Sequence, residues 1–555
     1  MSSYALGLDY GTSSVRGLLV EVQTGEEIAT SVFAYPHGKA GVIVDERDPD
    51  LARQHPQDYL DGAVAVITDV LRQAEGRAGF AVQDVIGIGV DTTGSTPIPI
   101  DASGVPLAFN PEFADNPAAM VYLWKDHTGH AEAVEITELA ARIRPQYLAK
   151  CGGIYSAEWF WSKILRCLHA DPEVYAAAYT WVEHADWLPA ALAGDTHPSR
   201  IKRGICAAGH KAMFHTSWGG YPDAEFLGEL DVRLLPLRDT LPNEAYHVGE
   251  VAGTLSAEWA AKTGLKAGIP ISVGALDAHL GGIGSGIQPG VLVKNIGTST
   301  CDMMVVPLAS DLDDIPGLCG IVPESILPDF YGLEAGQSAV GDIFNWFVNE
   351  IQPAGMGHAE LTAGAEKLLP GSSGLMALDW HNGNRTVLVD QRLTGGVIGL
   401  TLQTTPAELY RAWIEATAFG ARVIMERLEE YGQTVESIIN CGGISVKNPL
   451  VMQIYADVMG RKIAISSSAQ TAALGSAMAA AVAAGAFGSF AEATKAMTSL
   501  HPRVFQPDPA SQKTYDRLYA LYRRLHDAFG IKEARVDLYG VMKELLQIRD
   551  EVRHV

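Results

Sequence analysis

The sequence predicts an α/β protein built from two related halves. In the first third of the chain, patterns typical of buried strands alternate with patterns typical of helices, which is the order of a layered α/β domain. A short Gly-Thr-Ser motif also occurs twice. It lies within Asp9-Tyr-Gly-Thr-Ser-Ser14 and within Gly297-Thr-Ser-Thr300, and each copy is flanked by two apolar runs. A chain of 555 residues is too long for one hydrophobic core, so we expect two or more domains.

The first half is expected to open with a hairpin whose turn is Gly11-Thr-Ser13 and to continue with helices and strands in alternation. Apolar residues recur at helical spacing after Pro56, and the apolar run that ends at Asp91 is typical of a buried strand. The predicted elements are a helix over 56–76, a strand over 85–90, helices over 157–169 and 184–193, and a strand over 268–275. The glycine-rich stretch 281–286 is a candidate hinge or domain boundary.

The second half is expected to start again with a hairpin, over 291–306. Thr405 and Glu408 have the spacing of a capping box around Pro406, and Gly432 fits just past the end of the helix that this box begins. The other predicted elements are a strand over 438–440, a helix from Asn448 to Gly460, a strand over 462–465 and a helical tail over 511–553. We expect domains over 1–283 and 284–510, followed by a helical extension over 511–555.

Composition excludes several classes of function. A net charge of −24 argues against nonspecific binding to nucleic acid or to an anionic membrane. The six cysteines occur singly, without a Cys-x-x-Cys pair, so neither a disulfide framework nor a cysteine zinc site is expected. His210 and His215 are five residues apart, which is poor spacing for two metal ligands on one helix, so no zinc site is assigned to them. With no apolar run long enough to cross a membrane, the expectation is a reduced cytoplasmic protein.

The two Gly-Thr-Ser turns are the first candidate site. Such a turn offers close backbone approach, free N–H groups and hydroxyl donors, which suit a phosphate chain. Two of them predict a polyphosphate held from both sides of a cleft. Asp9, at the end of the first strand, is well placed to hold Mg²⁺ directly or through water, whereas an acidic turn without function is the alternative.

Three further candidate sites follow the predicted strands. Asp277 lies just past a strand end, where it could accept the proton of an alcohol in phosphoryl transfer, or simply cap the next helix. Gly442 and Gly443 precede a helix and would let a flat ring or a phosphate approach the backbone, unless they form a plain connecting loop. Polar residues suited to a sugar, each of which could equally be an ordinary surface residue, are 92–96, 124–126, Lys211 and Glu334.

The order of these motifs resembles the FGGY carbohydrate kinases. P-loop, protein-kinase and dinucleotide-binding signatures are all missing from the sequence. The resemblance covers residues 4 to about 530, and its motifs are D-Y-G-T-S-S, G-V-D-T-T-G-S-T, L-W-K-D-H-T, G-H-K-A-M-F-H, G-A-L-D-A-H, K-N-I-G-T-S-T, L-E-A-G-Q-S and C-G-G-I-S-V-K-N-P-L-V-M-Q-I-Y-A-D. The stretches that include Lys125 and Lys211 point to the branch of that family that phosphorylates L-ribulose.

The resemblance implies an actin-like ATPase fold, in which two ribonuclease H-like domains flank a cleft. It implies ATP and Mg²⁺ as cofactors and transfer of the γ-phosphate to the 5-hydroxyl of L-ribulose, giving L-ribulose 5-phosphate and ADP in L-arabinose catabolism. A small-molecule sugar and Mg·ATP are the implied partners, with no nucleic acid or membrane, and a homodimer is left open. A second enzyme interpretation is another kinase of the family, acting on D-ribulose, ribitol or xylulose. An actin-like ATP-dependent chaperone or filament protein is the alternative from a different class.

Carried over to this chain, the resemblance assigns a role to each candidate. Asp277 would be the catalytic base and Asp9 the metal ligand. The sugar would be held by Gly94, Lys211, Asp277 and Glu334, and the nucleotide by Gly11, Thr12, Ser13, Gly297, Thr298, Ser299, Gly442, Gly443 and Asn448. Related kinases often have Asn just before the position of Asn448, where this chain has Lys447, so the side-chain contacts to adenine are left open.

Overall fold

Two large sheets with matching strand order form the framework of the protein. A computed structural model describes residues 2–554. The first half contains strands β1 (Tyr4–Tyr10), β2 (Ser14–Glu21), β3 (Glu27–Ala34), β4 (Ile43–Asp45), β5 (Asp48–Gln54), β6 (Val85–Thr92), β7 (Pro97–Ile100), β8 (Val121–Tyr122), β9 (Thr180–Glu183), β10 (Val251–Thr254), β11 (Pro270–Ser272) and β12 (Ala275–Leu276). The second half contains β13 (Val291–Ile296), β14 (Thr300–Pro307), β15 (Gly320–Pro323), β16 (Phe330–Ala335), β17 (Met376–Leu378), β18 (Gly396–Ile398), β19 (Ser437–Cys441) and β20 (Ile463–Ile465).

Helices alternate with these strands and cover the sheets. Those of the first half are α1 (Pro56–Ala74), α2 (His130–Ile143), α3 (Pro145–Ala149), α4 (Phe160–Ala170), α5 (Pro172–Ala177), α6 (His184–Ala193), α7 (Ile205–Lys211), α8 (Ala224–Leu230), α9 (Leu235–Thr240), α10 (Ala257–Thr263) and α11 (Asp277–Gly284). Those of the second half are α12 (Gly341–Trp346), α13 (His358–Glu366), α14 (Pro406–Glu430), α15 (Gly443–Lys447), α16 (Pro449–Met459), α17 (Thr471–Ala483), α18 (Phe490–Met497), α19 (Pro509–Gly530) and α20 (Val541–Arg553).

The two sheets repeat one topology. The first runs β3-β2-β1-β6-β11-β10, with β12 also paired to β6, and the second runs β15-β16-β14-β13-β19-β20. The shared part is β3-β2-β1-β6-β11 in the first and β16-β14-β13-β19-β20 in the second, and β10 and β15 are added at opposite ends. In each, a hairpin (β1–β2 or β13–β14) pairs antiparallel with a third strand on one side and parallel with a later strand on the other. The register is equivalent as well, because Asp9 lies opposite Asp91 and Asn295 lies opposite Cys441. The structure therefore confirms the duplicated α/β plan.

Local sequence signals place several helices correctly. The Thr405–Glu408 capping box is present at the start of α14, and Pro406 occupies its first turn. The Asn448 side chain accepts a hydrogen bond from the Val451 N–H (3.3 Å) and caps α16, which ends at Gly460 in the left-handed conformation. Each signal satisfies backbone groups that a helix end leaves without an intrahelical partner.

The helical tail is two helices rather than one. α19 and α20 are separated by residues 531–540, and the α19 side that carries Tyr515, Leu518, Leu521 and Leu525 is buried against the second half. Phe529, in the last turn of α19, is 61% exposed.

A crossing of α11 and α17 joins the two halves. The glycine-rich stretch 281–286 was expected to be a hinge or domain boundary, and its residues 281–284 are buried inside α11. A side chain at Gly284 would reach within 2.0 Å of the Thr471 carbonyl oxygen, and one at Gly475 within 1.9 Å of the Leu280 carbonyl oxygen. These glycines therefore allow backbone-to-backbone packing of two helices, which explains why a run of weak helix formers is helical here.

The same helix, α17, also covers the first sheet. A side chain at Gly7 in β1 would reach within 1.8 Å of the Ala473 carbonyl oxygen, and one at Gly89 in β6 within 1.9 Å of the Ser476 carbonyl oxygen. Because α17 belongs to the second half in sequence but packs on the first sheet, the proposed boundaries at 283 and 510 remain a prediction. Within residues 2–554, no helix is long and apolar enough to span a membrane.

The packing at the crossing predicts that Gly475→Ala destabilises the protein. The added methyl group must displace helix backbone, for which about 1–3 kcal/mol is the usual effect of overpacking. Gly76→Ala is the matched control, because a side chain there meets nothing within 4 Å. Thermal unfolding should show a lower midpoint for Gly475→Ala alone; equal midpoints for the two variants would contradict the close crossing.

Candidate active site

Three carboxylates meet at one end of the first sheet. β1 and β12 flank β6, and their parallel pairing sets Asp9 opposite Asp91 and Asp91 opposite Ala275, two residues before Asp277. Because the carboxyl ends of parallel strands lie at the same edge of a sheet, the three side chains converge. Asp91 is fully buried, and its Oδ2 accepts a hydrogen bond from the Ser476 hydroxyl of α17 (2.6 Å).

Crowding of these acids alters their proton affinity. Burial first, and then the charge of Asp9, raise the pKa of Asp277 to about 7, although the Ala278 N–H (2.6 Å from Oδ1) and the charges of Lys211 and Arg16 oppose that rise. Burial, followed by the charge of Asp9, also raises the pKa of Asp91 well above its usual range. A carboxyl whose pKa lies near 7 can accept or release a proton at neutral pH, which is the property of a general base.

Arg16 balances the charge of this cluster. Its Nη1 donates to Asp9 Oδ2 at 2.7 Å, and the charge of Asp9 raises the pKa of the guanidinium. Asp9 itself is buried at the end of β1. Oxygen donors of this kind are the ligands that Mg²⁺ prefers, so the residues present fit the predicted metal role.

The first Gly-Thr-Ser turn is held by its carbonyl and hydroxyl oxygens. The Thr12 carbonyl accepts a hydrogen bond from Gln54 Nε2 (2.8 Å), and the Thr12 hydroxyl accepts one from the Trp124 indole N–H (3.0 Å). Gly11 is half-buried and Ser13 is exposed. The backbone N–H groups of Thr12 and Ser13 make no hydrogen bond within residues 2–554, so they are available to an anion.

The second turn is built in the same way. The Thr298 carbonyl accepts hydrogen bonds from the N–H groups of Val340 (2.7 Å) and Asp342 (3.1 Å), at the start of α12. Gly297 and Thr298 are exposed, and Ser299 is half-buried. In the part of the chain that the structure describes, the N–H groups of Thr298 and Ser299 likewise have no acceptor. Both turns thus present free N–H donors, and each turn joins two equivalent strands of its sheet.

The glycine pair lies beside the second turn. Gly442 has a φ of 90°, and a side chain there would reach within 2.4 Å of the Ile296 carbonyl oxygen, so the position requires glycine. Gly443 is exposed, and a side chain there would meet nothing within 4 Å. Asn448, which follows α15, is half-buried and uses its carbonyl oxygen to cap α16. Its amide nitrogen donates a long hydrogen bond to the Thr362 hydroxyl (3.4 Å) and has a second hydrogen left for a ligand.

The residues predicted for the sugar side come from both halves. Lys211 Nζ donates to both carboxylate oxygens of Glu334, at 2.8 and 3.0 Å, and both side chains are buried. The same ammonium lies 5.5 Å from the centre of the Trp159 ring. Gly94 is close to Asp277, because a side chain at Gly94 would reach within 2.1 Å of the neighbouring Leu276. Gly94, Lys211, Glu334 and Asp277 therefore lie around one region.

One predicted sugar residue has a structural role instead. Asp126 is fully buried and pairs with Arg53, so its carboxylate is already neutralised and is not available to a ligand. Sequence reasoning also missed several groups at the site. Asp91 was visible as the strand-ending acid, and His210 was considered only together with His215. Arg16 and His279 carried no local signal, because their contacts are with partners brought close by the fold.

Comparison with known proteins identifies the family. The N-terminal domain model of the FGGY family of carbohydrate kinases matches residues 4–284, and the C-terminal domain model matches residues 292–484. The chain belongs to the FGGY family of carbohydrate kinases. The kinase therefore uses ATP and a sugar as its substrates, and the chaperone or filament alternative is set aside.

Full-length relatives and solved structures are similar to this kinase. It is 43% identical to a ribulokinase from Vibrio parahaemolyticus (94% of this chain and 95% of that protein) and 41% identical to one from Geobacillus thermodenitrificans (99% and 98%). A gluconate kinase structure from Lactobacillus acidophilus has a TM-score of 0.78 at 20% identity (96% and 99% covered), and a xylulose kinase from Rhodospirillum rubrum has 0.76 at 24% (95% and 99%). The two structures confirm the two-domain, actin-like ATPase fold.

The raised pKa of Asp277 predicts that Asp277→Asn stabilises the folded kinase at alkaline pH. A carboxyl that holds its proton more tightly when folded makes stability fall as pH rises from about 4 to about 7, and each tenfold gain in proton affinity corresponds to about 1.4 kcal/mol. The variant should therefore raise the unfolding temperature at pH 8 more than at pH 5. A rise that is equal at both pH values, or no rise, would contradict the crowded-acid description.

Proposed function

We propose that this chain is a ribulokinase that transfers the γ-phosphate of ATP to the 5-hydroxyl of L-ribulose. The observation that carries this proposal is the similarity, over nearly the whole chain, to ribulokinases at above 40% identity. The geometry supports it, because Asp277 lies beside Gly94 and the Lys211–Glu334 pair, on the side of the sheet where the first phosphate turn opens. The similarity to the gluconate and xylulose kinases is below 25% and supports the fold alone.

In the proposed reaction, Asp277 accepts the proton of the 5-hydroxyl as the oxygen attacks the γ-phosphorus. The bond between the γ-phosphorus and the bridging oxygen breaks, and ADP leaves with that oxygen. Free N–H groups of the two turns stabilise the negative charge on the phosphate oxygens, which is the main contribution of protein groups to phosphoryl transfer. Asp9 would hold Mg²⁺, which supplies further neutralisation of the phosphates.

The sugar is proposed to bind between the two halves. Lys211 ends α7 of the first half and Glu334 lies on β16 of the second, so hydrogen bonds from both to the sugar hydroxyls would tie the halves together. Gly442 and Gly443 would receive the adenosine end, with the Asn448 amide nitrogen nearby. A cleft that holds both substrates in this way positions the hydroxyl for attack and excludes water.

The finer properties of the kinase follow from its substrates. We propose that it acts in the cytoplasm, where ATP is supplied, and all six cysteines are free thiols there. Its product would be consumed by reactions that act on a pentulose 5-phosphate. A measurement of molecular mass in solution decides whether the kinase is a homodimer.

The substrate is tested by a panel of sugars with Mg·ATP. L-ribulose, D-ribulose, xylulose and ribitol are each supplied, and ADP release is followed by a coupled assay. The highest kcat/KM is expected for L-ribulose, with little ADP release in the absence of sugar. A higher value for another pentulose would overturn the choice of substrate, and sugar-independent hydrolysis would overturn the kinase reaction.

The base is tested by the turnover of Asp277→Asn. Removing the proton acceptor should lower kcat by at least about 10²-fold, a general-base magnitude, while Mg·ATP binding stays nearly unchanged. Calorimetric titration of the nucleotide gives the binding control. Turnover close to that of the unchanged protein would exclude Asp277 from the role.

A further inference from the structure

The Glu334 carboxylate faces two histidines as well as Lys211. Oε2 of Glu334 lies 3.3 Å from His210 Nδ1 and 3.4 Å from His279 Nε2, and all three side chains are buried. Neither ring nitrogen makes a hydrogen bond to this oxygen or to any other group in residues 2–554. The two rings lie side by side, with centres 4.5 Å apart. Buried polar atoms without partners are groups that a bound ligand can satisfy, and here two of them face one carboxylate oxygen.

The Ser325 hydroxyl supports one tautomer of His210. It lies 3.1 Å from the Val322 carbonyl oxygen and 2.9 Å from His210 Nε2, and when it donates its one hydrogen to Val322 it accepts a hydrogen bond from Nε2. A neutral His210 with its proton on Nε2 has its lone pair on Nδ1. In that tautomer, His210 Nδ1 and the Glu334 carboxylate oxygen are both hydrogen-bond acceptors. They face each other, and neither can donate a hydrogen to the other.

Two of the three donor spacings fit a tetrahedral cation, and one ligand atom from each of the three residues lies within 4.8 Å of the other two. Bonds of about 2.0–2.1 Å to imidazole nitrogen or carboxylate oxygen give donor-to-donor distances of about 3.3–3.4 Å in a tetrahedron. The distances from Glu334 Oε2 to His210 and His279 have these values. Two imidazoles and one carboxylate form the ligand set of many zinc sites, and the Ser325 contact holds the His210 ring as an outer partner does in such sites.

We propose that His210, His279 and Glu334 form a binding site for a divalent transition metal, with Zn²⁺ as its ligand. A bound metal would weaken the Lys211–Glu334 ion pair. Lys211 donates to both Glu334 oxygens, and a metal would take Oε2 and leave only Oε1 (2.8 Å) to the ammonium. The nearby positive charge of Lys211 weakens the metal site. If Lys211 and Glu334 hold the sugar, as the proposed function states, the metal is an inhibitor that competes with the sugar and not with ATP.

The site is tested by titrating the full-length protein with Co²⁺, a coloured substitute for Zn²⁺. We expect one tetrahedral ion with visible absorption, and no near-ultraviolet charge-transfer band of the kind a cysteine thiolate would add. His279→Gln should weaken binding at least about 10-fold. His130→Gln is the matched control, because His130 belongs to a separate, more exposed group with Asp50 and His127, and it should leave the spectrum unchanged.

Lys211→Met supplies a second test. Its expected result is tighter metal binding, which a misfolded protein would not show. Removing the competing positive charge should tighten Co²⁺ binding at least about 10-fold. Weaker binding in this variant, or an unchanged spectrum in His279→Gln, would overturn the proposal, and circular dichroism checks that both variants fold. Calorimetry of L-ribulose with and without Zn²⁺ then tests competition. Tight metal binding without competition would keep the metal site and refute the proposed position of the sugar.

Discussion

The packing of α17 against both α11 and the first sheet is the constraint on which the site depends. Four glycines, Gly7, Gly89, Gly284 and Gly475, each have a backbone carbonyl where a side chain would otherwise be. This contact sets the start of α11, and therefore Asp277, beside β6. It also brings the Ser476 hydroxyl to Asp91. The carboxylate proposed as the base is thus positioned by a helix that lies almost two hundred residues further along the chain.

The same packing explains the electrostatics of the site. Three acids are held at one sheet edge with Arg16 beside Asp9 and, among the described residues, the Ser476 hydroxyl bonded to Asp91. Burial and mutual repulsion then keep the pKa of Asp277 near that of a working base. On the opposite side of the site, Lys211 and Glu334 neutralise each other across the two halves. The acids thereby favour a bound cation, while the free N–H groups of the two turns favour phosphate.

Local signals in the sequence predicted a large part of this arrangement. The two hairpins, the capped helices α14 and α16, and an acid after a buried strand are all set by residues within a few positions of each other. The glycine run at 281–286 indicated a hinge or domain boundary, and the sequence could not show that Gly284 serves a contact with α17, because that helix is distant in the chain. The cluster of His210, His279 and Glu334 was not predictable, since its members are brought together only by the tertiary fold. The assignment of each site residue to a substrate remains a proposal.

A crystal structure of the protein with L-ribulose and a non-hydrolysable ATP analogue tests the central claim most directly. The account predicts that the 5-hydroxyl lies within hydrogen-bond distance of the Asp277 carboxylate, about 2.6–3.2 Å, and points at the γ-phosphate between the two Gly-Thr-Ser turns. Lys211 and Glu334 should contact other hydroxyls of the same sugar. A sugar bound away from Asp277, or a γ-phosphate that touches only one of the turns, would contradict it.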